Sequence, residues 1–351
     1  MVIYDAGVPP VYEFALYRPD QDRLDQDRLD QGGSAGGTAI PWPFDAALYS
    51  RYKYGSTVAA DWFAQALGRA FLVRYPPLAQ EPRLLIASSP YRRVPTAANL
   101  LAARFATVLN AARAGRGLPS APLVHIERMA ASSGDYGTLS AEARTRLMAV
   151  NALSFDRLRP HADGAHLIVV DDVKVTGAHQ RCLTRASETL PLRSRTFAHI
   201  AAFDGAATGW LDPALEDSLN HAVIGTLGDL ADIVRDSDFT WNVRVCKFLL
   251  CPANRGDLPS FLTRMTDRFV RELRHNSLID GYARMTAYRD SHAIVGRELR
   301  RRDRLRARPR QPASPAAPAM TPPAPPAPPT LTPPAITPPA ITPPTVAGRP
   351  N

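Results

Sequence analysis

Short apolar runs that alternate with helix-length stretches are the feature that most constrains this chain. Leu84–Ala87 (LLIA), Leu123–Ile126 (LVHI), Leu167–Val170 (LIVV) and Phe197–Ala202 (FAHIAA) are brief and almost continuously apolar, and a last such run, Val243–Leu250 (VRVCKFLL), comes late. Between them the apolar spacing becomes helical. Ala97, Leu101, Phe105, Val108 and Ala112 share a face over 96–113, and helices are expected over 140–150 and from about Ala178 to Leu190. Ahead of the first run, Ser56 or Thr57 can cap a helix in which Val58, Trp62, Ala66 and Ala70 recur beside Ala59, Phe63, Leu67 and Phe71, until Pro76 and Pro77 stop it. Such alternation predicts an α/β domain whose parallel sheet is covered by helices on both faces. Ligands of such sheets bind at the carboxyl ends of the strands, so the residues just after each apolar run matter most.

Composition sets the borders. The 351 residues suit about two domains of ~150 residues or one large domain with extensions. Residues 1–45 read as irregular, with a mobile insertion marked by the repeat DQDRLDQDRL (Asp20–Leu29) and the run QGGSAGG. Residues 46–290 form the expected α/β domain, 291–310 an Arg-rich helix, and 311–351 a tail holding 16 of the 34 prolines, too poor in buriable surface to fold alone. Residues 297–310 carry a net +6, and Arg349 adds one more, leaving the body near +2 of the total +9. That argues against nucleic acid as a partner of the body. Three cysteines without paired spacing fit reduced thiols in the cytoplasm rather than disulfides or zinc. No run reaches the ~20 apolar residues of a membrane span, and no basic segment precedes an apolar one at the N-terminus.

The chemistry concentrates in HLIVVDDVKVTGAHQ, residues 166–180. A buried strand delivers Asp171 and Asp172 to the sheet edge. Val173, Lys174 and Val175 follow, then the turn Thr176-Gly177-Ala178 opens a helix. Backbone N–H groups at such a turn and helix start make a nest for an anion, most often phosphate. Paired acids beside a phosphate nest suit a sugar phosphate.

This segment resembles the phosphoribosyl-diphosphate-binding motif of type I phosphoribosyltransferases: an apolar strand, two acids, an apolar residue, two variable residues, then Thr-Gly. The resemblance implies that Asp171 and Asp172 hold the ribose hydroxyls and that, past Val173 of the same binding segment, Lys174, Val175, Thr176, Gly177, Ala178, His179 and Gln180 wrap the 5′-phosphate. After LLIA, the stretch Ser88-Ser89-Pro90-Tyr91-Arg92-Arg93-Val94-Pro95 is similar to the diphosphate loop of orotate phosphoribosyltransferases. Arg92 stands at the Lys position, where its fork would face the diphosphate, and Arg93 replaces a Gly. By resemblance Asp171, Asp172 and Arg92 are the catalytic set, with Mg²⁺ carried mainly by the ligand. Ser132–Thr138 sits where these enzymes keep a lid, with Asp135, Tyr136 and Gly137 as its hinge and tip. Tyr52-Lys53-Tyr54-Gly55 either lines the acceptor pocket or packs against the sheet edge. Val175 stands where purine-salvage members have an Asp that contacts the base, so a purine handled in that way is not supported.

The resemblance covers about residues 46–290 and implies transfer of phosphoribosyl between 5-phosphoribosyl-1-diphosphate and an unidentified base-like acceptor, by a protein that is a monomer or a homodimer. The alternative is a non-catalytic regulator that binds the same sugar diphosphate and uses the Arg-rich helix as a basic appendage. His125, His166 and His199 read as hydrogen-bonded structural residues and His179 as a solvent-facing helix start. The polyproline II shape of the tail suits a proline-binding partner protein, although a spacer is its commoner role. There is no G-x-G-x-x-G after a strand, no Walker loop, no H-E-x-x-H and no G-x-S-x-G elbow.

Overall fold

The computed structural model describes residues 10–17, 44–129, 153–202, 214–235 and 238–307. The Asp20–Leu29 repeat, the expected helix over 140–150 and the Pro-rich tail lie outside them.

In chain order, strand β1 (Val11–Tyr17) precedes helices α1 (Ala46–Lys53) and α2 (Thr57–Arg74). Then come β2 (Leu84–Ser88), α3 (Ala97–Ala114), the two-residue strands β3 (Glu127–Arg128) and β4 (Leu153–Ser154), β5 (His166–Lys174), α4 (Ala178–Ala186) and β6 (Ser194–Ala202). Helices α5 (Ala214–Asn220), α6 (Leu227–Val234), α7 (Val243–Leu250), α8 (Leu258–Thr263), α9 (Asp267–Ile279) and α10 (Thr286–Ala307) complete the described chain. The main sheet has the order β1-β6-β5-β2, and every pair is parallel.

Alternation along the strands shows why both faces need helices. Leu84 and Ile86 of β2, Ile168 and Val170 of β5, and Ala198 and Ile200 of β6 enter one core with Phe63, Leu67 and Phe71 of α2 and Leu101 and Phe105 of α3. Their neighbours Leu85, Ala87, Leu167, Val169 and Phe197 enter a second core with Leu183 of α4. The strands therefore read as continuous apolar runs because each face is covered. Asp45 caps α1 by accepting from Ala47 N at 2.8 Å and Leu48 N at 3.1 Å, and Ser56 caps α2. A third core joins the C-terminal helices through Leu230, Val245, Leu249, Phe261, Leu273 and Val295, forming a helical body beside the sheet.

Four expectations need correction. The N-terminal segment is not wholly irregular: β1 adds an edge strand to β6, Phe14 packs edge-on against Phe71 and Tyr75, and Glu13 pairs with Lys174. Leu123–Ile126 is not a strand of the sheet; it meets β2 only through an isolated bridge between Ile86 and Leu123. Val243–Leu250 is a helix. Asn242 caps it, accepting from Val245 N at 3.1 Å, and Val245, Cys246, Leu249 and Leu250 are buried on one side while Arg244 and Lys247 face the other. Finally, the Arg-rich segment continues a helix that starts at Thr286. Its Arg302 is embedded, donating to Glu298, Asp267 and the Met265 carbonyl, rather than fully solvated.

Phe105 is fully buried with its ring 5.5 Å from Phe71, at the centre of the core between α2, α3 and the sheet. Phe105→Ala is expected to lower the unfolding free energy by about 3–5 kcal/mol, read from the denaturant midpoint.

Candidate active site

Strand geometry explains how two adjacent acids serve different partners. β5 continues past Val170 to Lys174, so Asp171 and Asp172 still alternate across the sheet. Asp172 shares the face of Ile168 and Val170, where α1 lies, and its Oδ2 is ion-paired with Lys53 Nζ, with both side chains about nine-tenths buried. Its Oδ1 accepts from Val173 N at 2.8 Å. Asp171 shares the face of α4, and its Oδ2 lies 3.0 Å from His179 Nδ1. Strand register supplies the third contact. Ser88 pairs with Val170, so Ser89 falls beside Asp171, and Ser89 Oγ donates to Asp171 Oδ1 at 2.8 Å.

These contacts fix charge. Burial works to raise the Asp171 pKa, but His179, helped by the Ser89 hydroxyl, outweighs it and holds the carboxyl well below the usual carboxylate range. Burial, then Asp172 and Asp171, push the Tyr52 phenol well up, so it stays neutral beneath the acid pair.

A cavity of about 630 Å³ opens at this strand end, within the range of small-molecule sites. Of the residues expected at the site, Asp171, Asp172, Val173, His179, Ser89, Pro90, Tyr91 and Arg92 line it. Arg92 Nη1 also donates to the Ile279 carbonyl at 3.4 Å, tying the loop to the end of α9. Other expected residues are placed elsewhere. Ser88 is buried and lines a separate cavity of about 310 Å³ behind the loop. Arg93 points away, 3.9 Å from Glu127 with an exposed side chain. Lys174 is engaged by Glu13, and Val175 is buried in the core. Thr176 and Gly177 form the turn into α4, Gly177 in the left-handed region at φ +67°, with the Thr176 carbonyl capped by Arg181 at 2.9 Å. Ala178 N lies 3.4 Å from Thr176 Oγ1, and Gln180 is half-buried in the first turn of α4. Asp135, Tyr136 and Gly137 lie outside the described residues.

Three contributors lie outside the two main sequence motifs. Asp280, at the end of α9, is buried and accepts from Arg93 N at 3.1 Å and Val94 N at 3.2 Å, so a residue far along the chain fixes the loop's backbone. Burial pushes its pKa up, against those N–H groups. Lys53 was legible only as one of two readings, and the structure sets it against Asp172 and 3.9 Å from Glu216. His199, beside Asp171 in the register, is buried, and neither ring nitrogen has a hydrogen-bond partner among the described residues, contrary to the expectation of a hydrogen-bonded structural histidine.

A parallel sheet covered on both faces, carrying paired acids at a strand end beside a Pro-Tyr-Arg loop and a Thr-Gly helix start, is the architecture of a phosphoribosyltransferase-type fold. The family model described as PRTase ComF-like matches residues 37–295, and the chain belongs to this family. No curated protein matches the chain.

Removing Lys53 would strand a buried carboxylate. Lys53→Met is expected to cost about 3–5 kcal/mol of stability, and Lys53→Met with Asp172→Asn to restore most of it, as measured by a double-mutant cycle of urea unfolding. His199 gives a pH test. Burial lowers its pKa, so the folded protein holds it neutral while the unfolded chain takes up a proton. Its contribution is therefore complete above the unfolded value, ~6.5, and is lost as pH falls below it. His199→Gln should flatten part of the decline in unfolding midpoint between about pH 7.5 and 5.

Proposed function

We propose that the protein is a Mg²⁺-dependent phosphoribosyltransferase that moves phosphoribosyl between 5-phosphoribosyl-1-diphosphate and a base-like acceptor. The observation that carries this reading is the convergence, in one cavity, of Asp171 and Asp172 with the Ser89–Arg92 loop and His179 at the start of α4.

Each element has a part. Asp171 and Asp172 accept from the ribose hydroxyls with oxygen lone pairs that remain after their protein contacts. The Thr176–Gln180 turn receives the 5′-phosphate on N–H groups of a helix start. Arg92, which lines the cavity, faces the diphosphate. Holding both ends of the sugar turns distant binding energy into orientation of C1′. The acceptor lone pair forms the new bond to C1′ as the C1′–O bond breaks, its electron pair leaves with diphosphate, and any proton on the attacking nitrogen passes to solvent. C1′ is cation-like while the two bonds exchange, and an Asp171 held in its ionised form favours that charge.

No cluster of three or more His, Cys, Asp or Glu that could hold a metal occurs among the described residues. The Asp171 and Asp172 carboxylates on the cavity wall are hard oxygen donors that would suit a Mg²⁺ carried chiefly by the substrate phosphates. When bound, the ion would neutralise charge on the leaving diphosphate.

A regulator that binds the ligand without turnover needs a free basic surface for its second partner. Arg302 is embedded against Glu298 and Asp267, but Arg297, Arg300, Arg301, Arg304 and Arg306 stay exposed on α10, so a basic surface is present and turnover is what separates the two readings.

Asp171→Asn combined with Asp172→Asn should weaken calorimetric binding of 5-phosphoribosyl-1-diphosphate by more than about 2 kcal/mol, since charged hydrogen bonds contribute ~1.5–3 each. Unchanged affinity would remove the ribose assignment. Diphosphate release on addition of acceptor separates enzyme from sensor, because a sensor binds and releases none.

A further inference from the structure

We propose that the cavity of about 310 Å³ behind the Ser89–Arg92 loop is a second ligand site, which takes a small uncharged ring compound bearing a hydrogen-bonding group and holds the loop in place. Its volume lies at the lower end of small-molecule sites, roughly 300–1,000 Å³.

The cavity comes from a break in pairing. The 123–127 segment meets β2 and the loop after it through two isolated bridges, Ile86 with Leu123 and Tyr91 with Glu127. Between them four residues, 87–90, face three, 124–126, so the two edges fall out of register beside Ser88. Asn99, Leu100 and Ala103 of α3 line one side, and Trp241 and Asn242, just ahead of α7, line another.

The lining decides the ligand. None of the residues around the cavity is Asp, Glu, Lys or Arg. A charged ligand would lose its water there and meet no opposite charge. The rings of Tyr91, His125 and Trp241, with Leu100 and Leu123, offer apolar surface suited to a flat ring. Three polar side chains are already committed. Asn99 donates to the Ser89 carbonyl at 3.0 Å and accepts from Thr96 N at 2.7 Å. Asn242 donates to the Lys53 carbonyl at 3.1 Å and accepts from Val245 N at 3.1 Å, and Trp241 Nε1 donates to Glu272 at 2.8 Å. Ser88 differs. Strand alternation puts it on the α3 side of the sheet with Leu84 and Ile86, where it is 3% exposed, and its hydroxyl has no hydrogen-bond partner among the described residues. A buried hydroxyl left unmet is destabilising, and a ligand atom that meets it removes that penalty.

The same walls carry the back of the loop. Asn99 holds the Ser89 carbonyl, His125 Nε2 lies 3.0 Å from the Tyr91 carbonyl, and the His125 ring stacks on Tyr91 at 3.8 Å. Tyr91 and Thr96 line both this cavity and the acid-lined one. A ligand packed between α3 and His125 restricts these anchors and the loop with them. By linkage, occupancy of either cavity then alters affinity at the other.

Trp241 reports occupancy because it lines this cavity and not the larger one. The full chain has four tryptophans, so labelling with 5-fluorotryptophan gives a short ¹⁹F spectrum in which Trp241→Phe identifies one line. Benzamide, indole and 2-pyridone are titrated as uncharged probes, and benzoate and benzylamine as charged ones. At least one uncharged probe should move the Trp241 line saturably, with a dissociation constant of about 1 mM or tighter and at least about 10-fold below that of either charged probe. Ala103→Phe, which fills the cavity from α3, should abolish the shift, and Ser88→Ala should weaken binding about 3- to 10-fold. An unfolding midpoint near the parent's establishes that each variant is folded; should Ala103→Phe not be, Ala103→Leu is read instead, with the same expected direction. With the tightest probe bound, amide exchange across 89–94, where Arg93 N and Val94 N donate to Asp280, should slow at least about 3-fold. The proposal is overturned by no shift from any uncharged probe, by charged probes that bind as tightly, or by a shift that survives filling of the cavity. Affinity unchanged in Ser88→Ala, or loop exchange unaltered by the probe, overturns it too. None of these outcomes involves 5-phosphoribosyl-1-diphosphate, so this site stands or falls apart from the phosphoribosyl reading.

Discussion

Three separately folded parts of the chain meet at the carboxylate of Asp171, and the rest of the site depends on that meeting. Ser89 reaches it from the end of β2, His179 from the first turn of α4, and the strand itself brings Asp172 to the opposite face, where Lys53 of α1 waits. Each contact is charged or charge-assisted and at least partly sheltered from water, where such bonds are stronger than neutral ones. The order β6-β5-β2 puts the acid-bearing strand in the middle and the Ser89–Arg92 loop next to it.

The helical body supplies the other wall of the cavity. Asp280 at the end of α9 holds the backbone of Arg93 and Val94, and Arg92 touches the Ile279 carbonyl, so the loop is moored to the same body that contributes α7 to the cavity. The β5 side and the α7 side of the cavity are therefore mechanically connected through one short loop.

Local pattern made much of this legible. Continuous apolar runs named β2, β5 and β6, and Ser56, the Ala97–Ala112 face and the Gly177 turn located α2, α3 and α4. The acid pair and Thr-Gly turn could be read because their spacing lies within a single segment. What stayed hidden depends on contacts distant in sequence. β1 is a strand only because β6 lies beside it, and Glu13 is explained by Lys174, 161 residues away. Asp280 meets the loop across 187 residues. Val243–Leu250 misled because a buried helix face and a buried strand both look apolar over eight residues; the Asn242 cap was the available signal. No helix among the described residues is long and apolar enough to cross a membrane.

A crystal structure of the protein with Mg²⁺ and 5-phosphoribosyl-1-diphosphate tests the central claim most directly. The account predicts the ribose hydroxyls within hydrogen-bond reach of Asp171 and Asp172, the 5′-phosphate against the Thr176–Gln180 turn and the diphosphate toward Arg92. A ligand bound away from β5, or an acid pair still engaged only by Lys53, Ser89 and His179 with the sugar elsewhere, would contradict it.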